Sequence, residues 1–344
     1  MPATLRDVAQ RARLSVSTVS NILSSNDSRY SDSSRAAVLK AAKELDYHPS
    51  RAARAMQSKR SNVLGVIVPD ITYSYFTEII RGVEREADRA GLQLLLCQTH
   101  YDPAQETRKI ALLREHRVDG IVLFPKPFSQ DRDLYLRLRK SRLPVVCVDA
   151  EVEGVPFDFV GTDDCKGAFA AVTHLIRRGH RRIACIAFGD ESAIKRTRLE
   201  GYRNALASAG IPYAGDLVAP GPWELDAPGD ALLSLFTRDN RPTAIFAMSD
   251  LFGVWGYFKL KEAGLAVPRD VSIVGFGGMH EGRWLDVPLT TMMQNGDLMG
   301  RHAVAMLVER IARPQLPQRR MLFEPELIIR ASVAEPAAAH APEN

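Results

Sequence analysis

Cysteine is scarce in this chain, with four among 344 residues, at 97, 147, 165 and 185. Their wide spacing excludes a disulfide framework and a CxxC metal or redox motif, and three lie in apolar runs (LLLCQ, VVCVD, IACIAF), so all four read as buried thiols. Long hydrophobic runs are absent too. None approaches the roughly 18 residues a membrane helix needs. The opening MPATLRDVAQ lacks the basic-then-apolar layout of a signal peptide, and the expectation is a cytoplasmic, membrane-free protein. Catalytic signatures are missing as well: there is no G-x-x-x-x-G-K-[ST] loop, no H-E-x-x-H and no triad spacing. GFGGMH departs from G-x-G-x-x-G, and His174 and His180, six residues apart around Gly179, do not share a helical face; they read as surface histidines. The chain is expected to be no enzyme, with no cofactor and no metal.

What is present is asymmetric. Residues 1–60 carry eleven Lys and Arg against five Asp and Glu, a charge of +6, and the remainder carries −2. A basic head on a near-neutral body suits a phosphate-binding module joined to a sensing domain, although a solvated helical surface gives the same count. At 46% hydrophobic and 25% charged residues, the chain can bury a large core in more than one domain.

The head, Thr4 to Tyr47, has no strand-like run and breaks into three helical patterns. Thr4 can cap a helix over Leu5 to Ala12, with Leu5, Val8, Ala9 and Ala12 on one face. Ser15 opens a second, with Val16, Val19, Ile22 and Leu23 in register. Ser31 or Asp32 opens a third, in which Ala36, Val38, Leu39, Ala42 and Leu45 face the pair. Two short helices joined by a tight turn form a helix-turn-helix, whose second helix enters the major groove. His48-Pro49 ends the unit. The following SRAARAMQ is too short to be helical in water without a partner.

From Asn62 the pattern alternates. Apolar runs at 63–68, 92–97, 119–124, 144–149, 182–188, 243–248 and 271–276 are separated by amphipathic helices at 76–90, 104–117, 165–179, 198–209, 250–263 and 296–312. Such runs indicate parallel sheets covered on both faces. The series appears twice, with late segments near 290 and 322–329 returning, which predicts two α/β lobes around a cleft. The fold class is therefore α/β, with an all-α helix-turn-helix head. The expected boundaries are 1–47 for the head, 48–61 for a hinge and 62–332 for the core. Within the core, one lobe takes about 62–161 and 293–323, and the other about 162–292 and 324–332. The Ala- and Pro-rich tail, 333–344, lacks leucine heptads and is expected to be disordered.

TLRDVAQRARLSVSTVSNIL resembles the head of the LacI/GalR family of bacterial transcriptional regulators, and YHPSRAARAMQSKRSNVLGVIVPDI resembles its hinge and first strand. RRGHRRIACI, RLEGYRNAL, RPTAIFAMSD, VPRDVSIVGF and PLTTM resemble blocks spaced along its sensor core. The resemblance implies a periplasmic-binding-protein-like core and a homodimer on pseudo-palindromic double-stranded operator DNA. It also implies a repressor switched by a small polar effector, a sugar or sugar derivative, between the lobes. Two readings from other classes stand beside it: a regulator controlled by a protein co-regulator docking on the core, and a cytoplasmic solute-binding protein.

By this resemblance Val16, Ser17 and Asn21 face bases, which are also the positions left over when Val19, Ile22 and Leu23 turn inward. Asn21 stands where many relatives carry Arg, and an amide pairs with adenine where Arg prefers guanine. Thr4, Ser15, Thr18, Ser20 and Arg29 are placed for phosphates, with Thr4 and Ser15 also readable as plain helix caps. Met56 sits where the family has a minor-groove wedge, flanked by Arg51 and Arg54 for phosphates; the alternative is a Met packed within an Ala-rich helix pair. Arg13 replaces a small residue, often Gly, in the turn, where a left-handed backbone tolerates Arg poorly.

For the effector, the resemblance carries over Tyr75, Phe76, Asp149, Arg198, Trp223, Ser249 and Asp250, with aromatic faces to stack and charged groups to pair. The alternatives are that Phe76 is core, Asp250 a helix cap and Trp223 a loop cover. Gly275-Phe276-Gly277-Gly278 stands where relatives read GFDD, removing a carboxylate that often binds sugar hydroxyls. Lys126, Lys195 and Arg196 point toward an acidic ligand, unless they are solvated helix ends.

Overall fold

The computed structural model describes residues 3–24, 30–47, 60–125, 132–189, 191–222, 227–238 and 240–336. Arg29, Arg51, Arg54, Met56, Lys126 and Trp223 lie outside the described residues. The chain divides into two compact units. One holds residues 1–63 with 117–119, and the other holds 64–116 with 120–344.

In the first unit, three helices form the head: α1 (Leu5–Ala12), α2 (Val16–Ser24) and α3 (Asp32–Glu44). Thr4 and Asp7 make a reciprocal capping box on α1, which satisfies amide donors that a helix start leaves open. Ser15 and Ser31 accept from the backbone N–H of Thr18 and Ser34 and cap α2 and α3 in the same way. Val8, Ala9, Val19, Ile22, Val38, Ala41 and Ala42 make one small core. The third helix is rotated from the expectation. Ala36 and Leu39 face outward, Leu39 being 54% exposed, and Ala41 takes the inner place. The stripe Val38, Ala41, Ala42 and Leu45 keeps helical spacing, and contact with α1 and α2 selects that phase. Arg13 does adopt the left-handed backbone that the turn requires, at φ 55°.

The second unit contains two six-stranded sheets. Strands β1 (Val63–Val68), β2 (Gln93–Gln98), β3 (Gly120–Leu123), β4 (Val145–Val148), β5 (Asp158–Thr162) and β11 (Arg320–Phe323) form one, ordered β11-β5-β4-β3-β1-β2. Strands β6 (Ile183–Phe188), β7 (Val218–Gly221), β8 (Ala244–Ala247), β9 (Ser272–Gly277), β10 (Thr290–Met293) and β12 (Glu326–Ile328) form the other, ordered β12-β10-β9-β8-β6-β7. Pairing is parallel, as in Leu64 with Gly120 and Ile183 with Ala244, except that β12 runs antiparallel to β10. The chain passes between sheets at 162–164, 293–296 and 323–326, so each sheet is completed by a late strand.

Both sheets start at an inner strand, step to one edge, then return past it. The order therefore reverses beside β1 and beside β6, and at such a switch point the flanking loops leave in opposite directions and open a crevice. Each sheet has its own core, with Val66, Val122, Val146 and Leu307 in one and Ile186, Phe246, Val274 and Trp255 in the other. A helix at Arg132–Lys140 and strands β7 and β5 go beyond the elements expected from the sequence. Charge dominates the helix, Pro and Gly break β7, and in β5 Asp158 and Gly161 leave only two apolar residues in a row.

Three expectations are corrected here. His174 and His180 are buried, not on the surface; His180 bonds Thr243 Oγ1 and the Ala334 carbonyl, both at 2.9 Å. The ordered chain runs on past 332, because Val333 packs on the core and Ala334 exchanges hydrogen bonds with Ser272. Cys147 and Cys185 are buried thiols, whereas Cys97 and Cys165 are half-buried, and all four are free.

Candidate functional site

Strand ends of both sheets converge on one cavity of about 460 Å3. Its wall takes Tyr73, Tyr75 and Phe76 from the segment after β1, Phe124 after β3, Asp149 after β4, Phe188 from the end of β6 and Ser192 beyond it, Ser249 after β8, and Phe276 and Gly277 from β9. A buried apolar wall with a few convergent polar groups is the composition of a small-molecule site.

Its polar groups form two linked sets. Asp149, in a left-handed conformation at φ 71°, accepts from the Tyr75 hydroxyl. Gln294 donates to that same hydroxyl at 3.1 Å and to Thr162 Oγ1 at 2.8 Å. Burial raises the Asp149 carboxyl, a rise that the Tyr75 bond and Arg198 oppose. Burial also lifts the Tyr75 phenol well above its usual range, with Asp149 adding to it. In the second set, Arg198 is 4% exposed and gives Nε and Nη2 to Asp164 Oδ1, each at 2.8 Å, and Nη1 to the Met248 carbonyl. Its guanidinium lies 3.7 Å from the Phe276 ring centroid, a cation–π contact closing one face. Burial pushes Asp164 up to about 6 in spite of Arg198.

Of the effector residues expected from sequence, Tyr75, Phe76, Asp149, Arg198 and Ser249 line this cavity. Phe76 does double duty, packing in the core and edge-on to Phe124 at 5.8 Å. Ser249 caps the helix Asp250–Glu262 through the Leu251 amide. Asp250 is set apart from the lining and fully buried, where it accepts from Met279 N at 2.7 Å and Thr291 Oγ1 at 2.6 Å. A Cβ on Gly275 would stand 2.1 Å from Asp250 Oδ1, so this carboxylate requires the glycine and shapes the floor that Phe276, Gly277 and Met279 present. Burial lifts Asp250 to about 6. Gly277 and Gly278, at φ 142° and 75°, take a path that L side chains rarely adopt.

Lys195 and Arg196 are turned away. Lys195 pairs with Glu191 at 2.7 Å, and Arg196 bonds the Glu191 carbonyl at 2.7 Å.

Sequence reasoning missed Tyr101, Phe124, Phe188 and Gln294. The first three follow strands β2 and β3 or end β6, so the rule that ligands gather at strand C-termini would have found them. No local pattern marks Gln294, which reaches the cavity from a crossover between sheets. Among the described residues no group of three or more His, Cys, Asp or Glu is arranged to hold a metal, and no helix is long and apolar enough to cross a membrane.

On the head, Ser15, Ser17 and Asn21 are exposed and Val16 is 42% exposed, along one side of α2. Thr18 and Ser20 are half-buried, and Thr4 is exposed beside its cap partner. Ser15 Oγ lies 2.8 Å from both Ser17 Oγ and Thr18 Oγ1, and Asn21 donates to the Tyr30 hydroxyl at 2.9 Å. These hydroxyls and this amide are thus arrayed from one helix, whose inner face holds Val19 and Ile22.

Comparison with known proteins extends over the whole arrangement. A family model described as bacterial regulatory proteins, lacI family, matches residues 4–50. A second, periplasmic binding proteins and sugar binding domain of LacI family, matches 61–330. The chain is 33% identical to the ribose operon repressor of Escherichia coli, over 96% of this chain and 99% of that one. It is 30% identical to the transcriptional regulator CelR in its cellobiose complex, with a TM-score of 0.72, covering 96% of this chain and 99% of the other. The lac repressor dimer bound to operator and an anti-inducer has a TM-score of 0.84 over 97% of this chain and 100% of that chain; at 24% identity it speaks to the fold alone.

Proposed function

Because the chain belongs to the LacI family of bacterial regulatory proteins, we propose that it is a sequence-specific transcriptional repressor whose hold on a pseudo-palindromic operator is switched by a small polar effector. The observation that carries this reading is the cavity at the joint switch points of the two sheets. Asp149 stands on one wall and Arg198 on the other, so a ligand between them engages both lobes. A ligand that prefers one lobe arrangement shifts operator affinity by its differential affinity and no more. Relatives whose names or complexes carry ribose and cellobiose support a sugar or sugar derivative.

In this reading Val16, Ser17 and Asn21 read bases, and Thr4, Ser15, Thr18 and Ser20 hold phosphates, as Arg29 does. Arg51 and Arg54 neutralise the backbone beside a Met56 wedge. Asn21 selects an A·T pair. Tyr75, Phe76, Asp149, Arg198, Ser249 and Trp223 hold the effector, and Asp250 acts through the floor beneath it. Edge strand β2 exposes Leu95 and Leu96, with Leu112 exposed on the following helix, an apolar margin suited to a homodimer. The protein works in the cytoplasm, at the nucleoid when bound to DNA.

The test joins operator selection to a ligand screen. Selection from random duplexes should return a palindrome with A·T opposite Asn21, and a fixed guanine there refutes the base assignment. Thermal unfolding against sugars, sugar derivatives and nucleobases should then find a ligand that stabilises by about 2.7 kcal/mol at a hundredfold excess over its dissociation constant and alters operator binding. A complete absence of such a ligand would move control to a protein co-regulator.

A further inference from the structure

The charges around the cavity restrict what can enter it. Among the described residues, Asp149 and Arg198 are the charged groups of the wall. Arg198 is already matched: Asp164 takes its Nε and Nη2 at 2.8 Å, the Met248 carbonyl takes Nη1, and Phe276 closes a face at 3.7 Å. Lys195 and Arg196, which would make an acidic ligand attractive, are bound to Glu191 instead. Asp149 has no such match among the described residues. Its hydrogen-bond partner is a neutral phenol, Tyr75, and of the carboxyls behind the wall Asp164 is the one that Arg198 matches, whereas Asp70 and Asp250 bring no cation to the cavity. An entering carboxylate or phosphate would therefore meet Asp149 with no spare cation on the described wall.

The remaining wall suits a cation. Tyr73, Tyr75, Phe76, Tyr101, Phe124 and Phe188 bring aromatic rings to the cavity, and the negative face of a ring attracts an ammonium, more strongly where water is excluded. Gly277 contributes no side chain where relatives place a carboxylate, leaving one wall anion for one positive charge.

Resting on the reading of this cavity as the effector site, we propose that the effector is a positively charged, amine-bearing polar ring, an amino-substituted sugar rather than a sugar acid or phosphate, with its ammonium on Asp149.

Because the effector is unidentified, the test uses three probes of one shape: benzylamine, benzyl alcohol and benzoate. They are titrated by saturation-transfer NMR against the full-length protein and its Asp149→Asn variant. Asparagine tolerates the left-handed backbone at φ 71°, so the fold is retained, and benzyl alcohol checks this by binding both proteins alike. In the wild type, benzylamine should bind about tenfold tighter than benzyl alcohol, as hydrogen bonds to charged groups exceed neutral ones, and benzoate should be the weakest. In the variant, amine and alcohol should agree within about twofold. Benzoate equalling or exceeding benzylamine, or an amine preference surviving in the variant, overturns the proposal and leaves the effector cavity standing. Failure of all three probes to bind overturns the cavity reading together with it.

Discussion

Replacing Asp250 by Asn should change how stability depends on pH, by an amount the structure supplies. Asp250 is fully buried, accepts from Met279 N and Thr291 Oγ1, and is lifted by burial from 3.8 to about 6. A carboxyl raised in the folded state binds its proton more tightly there than in the unfolded chain. Its contribution is therefore fully present below about pH 4 and is lost as the pH rises through about 6. A rise of that size corresponds to about 3 kcal/mol. Asp164, raised in the same direction, and His174 and His180, lowered by burial, are common to both proteins. Subtracting the curves isolates Asp250. Urea unfolding followed by fluorescence tracks the same half of the core, because Trp255 is buried one turn along the Asp250 helix. From pH 8 to pH 4.5, wild type should gain on the variant by about 2 kcal/mol of that total, whatever the offset at pH 8. A difference that stays flat, or one that reverses, would show that Met279 and Thr291 hold the carboxylate ionised and that its burial carries no such cost.

Two further substitutions probe the two compact units separately. Asp158 has a fully buried side chain gripped by Arg310 at 2.7 Å and Arg319 at 2.9 Å; burial alone would raise it, but the two arginines hold it below its usual value. Asp158→Ala leaves Arg310 without a carboxylate, held by the carbonyls of Leu316 and Pro317, and Arg319 with Glu309 alone. It should cost about 3 kcal/mol in urea unfolding, whereas a loss below about 1 kcal/mol would mean the cluster is solvated. Arg13→Gly removes a side chain from a left-handed position at φ 55° and should slow amide exchange in the head by about two- to fivefold, a gain of about 0.5–1 kcal/mol. Unchanged exchange would remove the strain argument.

Local pattern carried much of the structure. The run 63–68 is an observed strand to the residue, the helix 296–312 likewise, and the three head helices start at residues whose side chains cap them. These features depend on neighbours within a turn or a strand, where backbone hydrogen bonding sets the period. The positions of Asp149 and Ser249 at strand ends were legible for the same reason. Burial of polar groups was not. His180 is enclosed because Thr243 and Ala334, 63 and 154 residues away, close on it. Asp250 is a floor support because Gly275 and Thr291 come from other strands. Gln294 enters the cavity from a crossover, and Arg198 meets its counter-ion across helices. Sequence by itself determined the family, the head, the alternation of strands and helices and the place of the cleft, all of them local periods repeated in order. Only the tertiary structure decided the charge of the cleft, because neutralisation depends on which distant side chains come within hydrogen-bond reach.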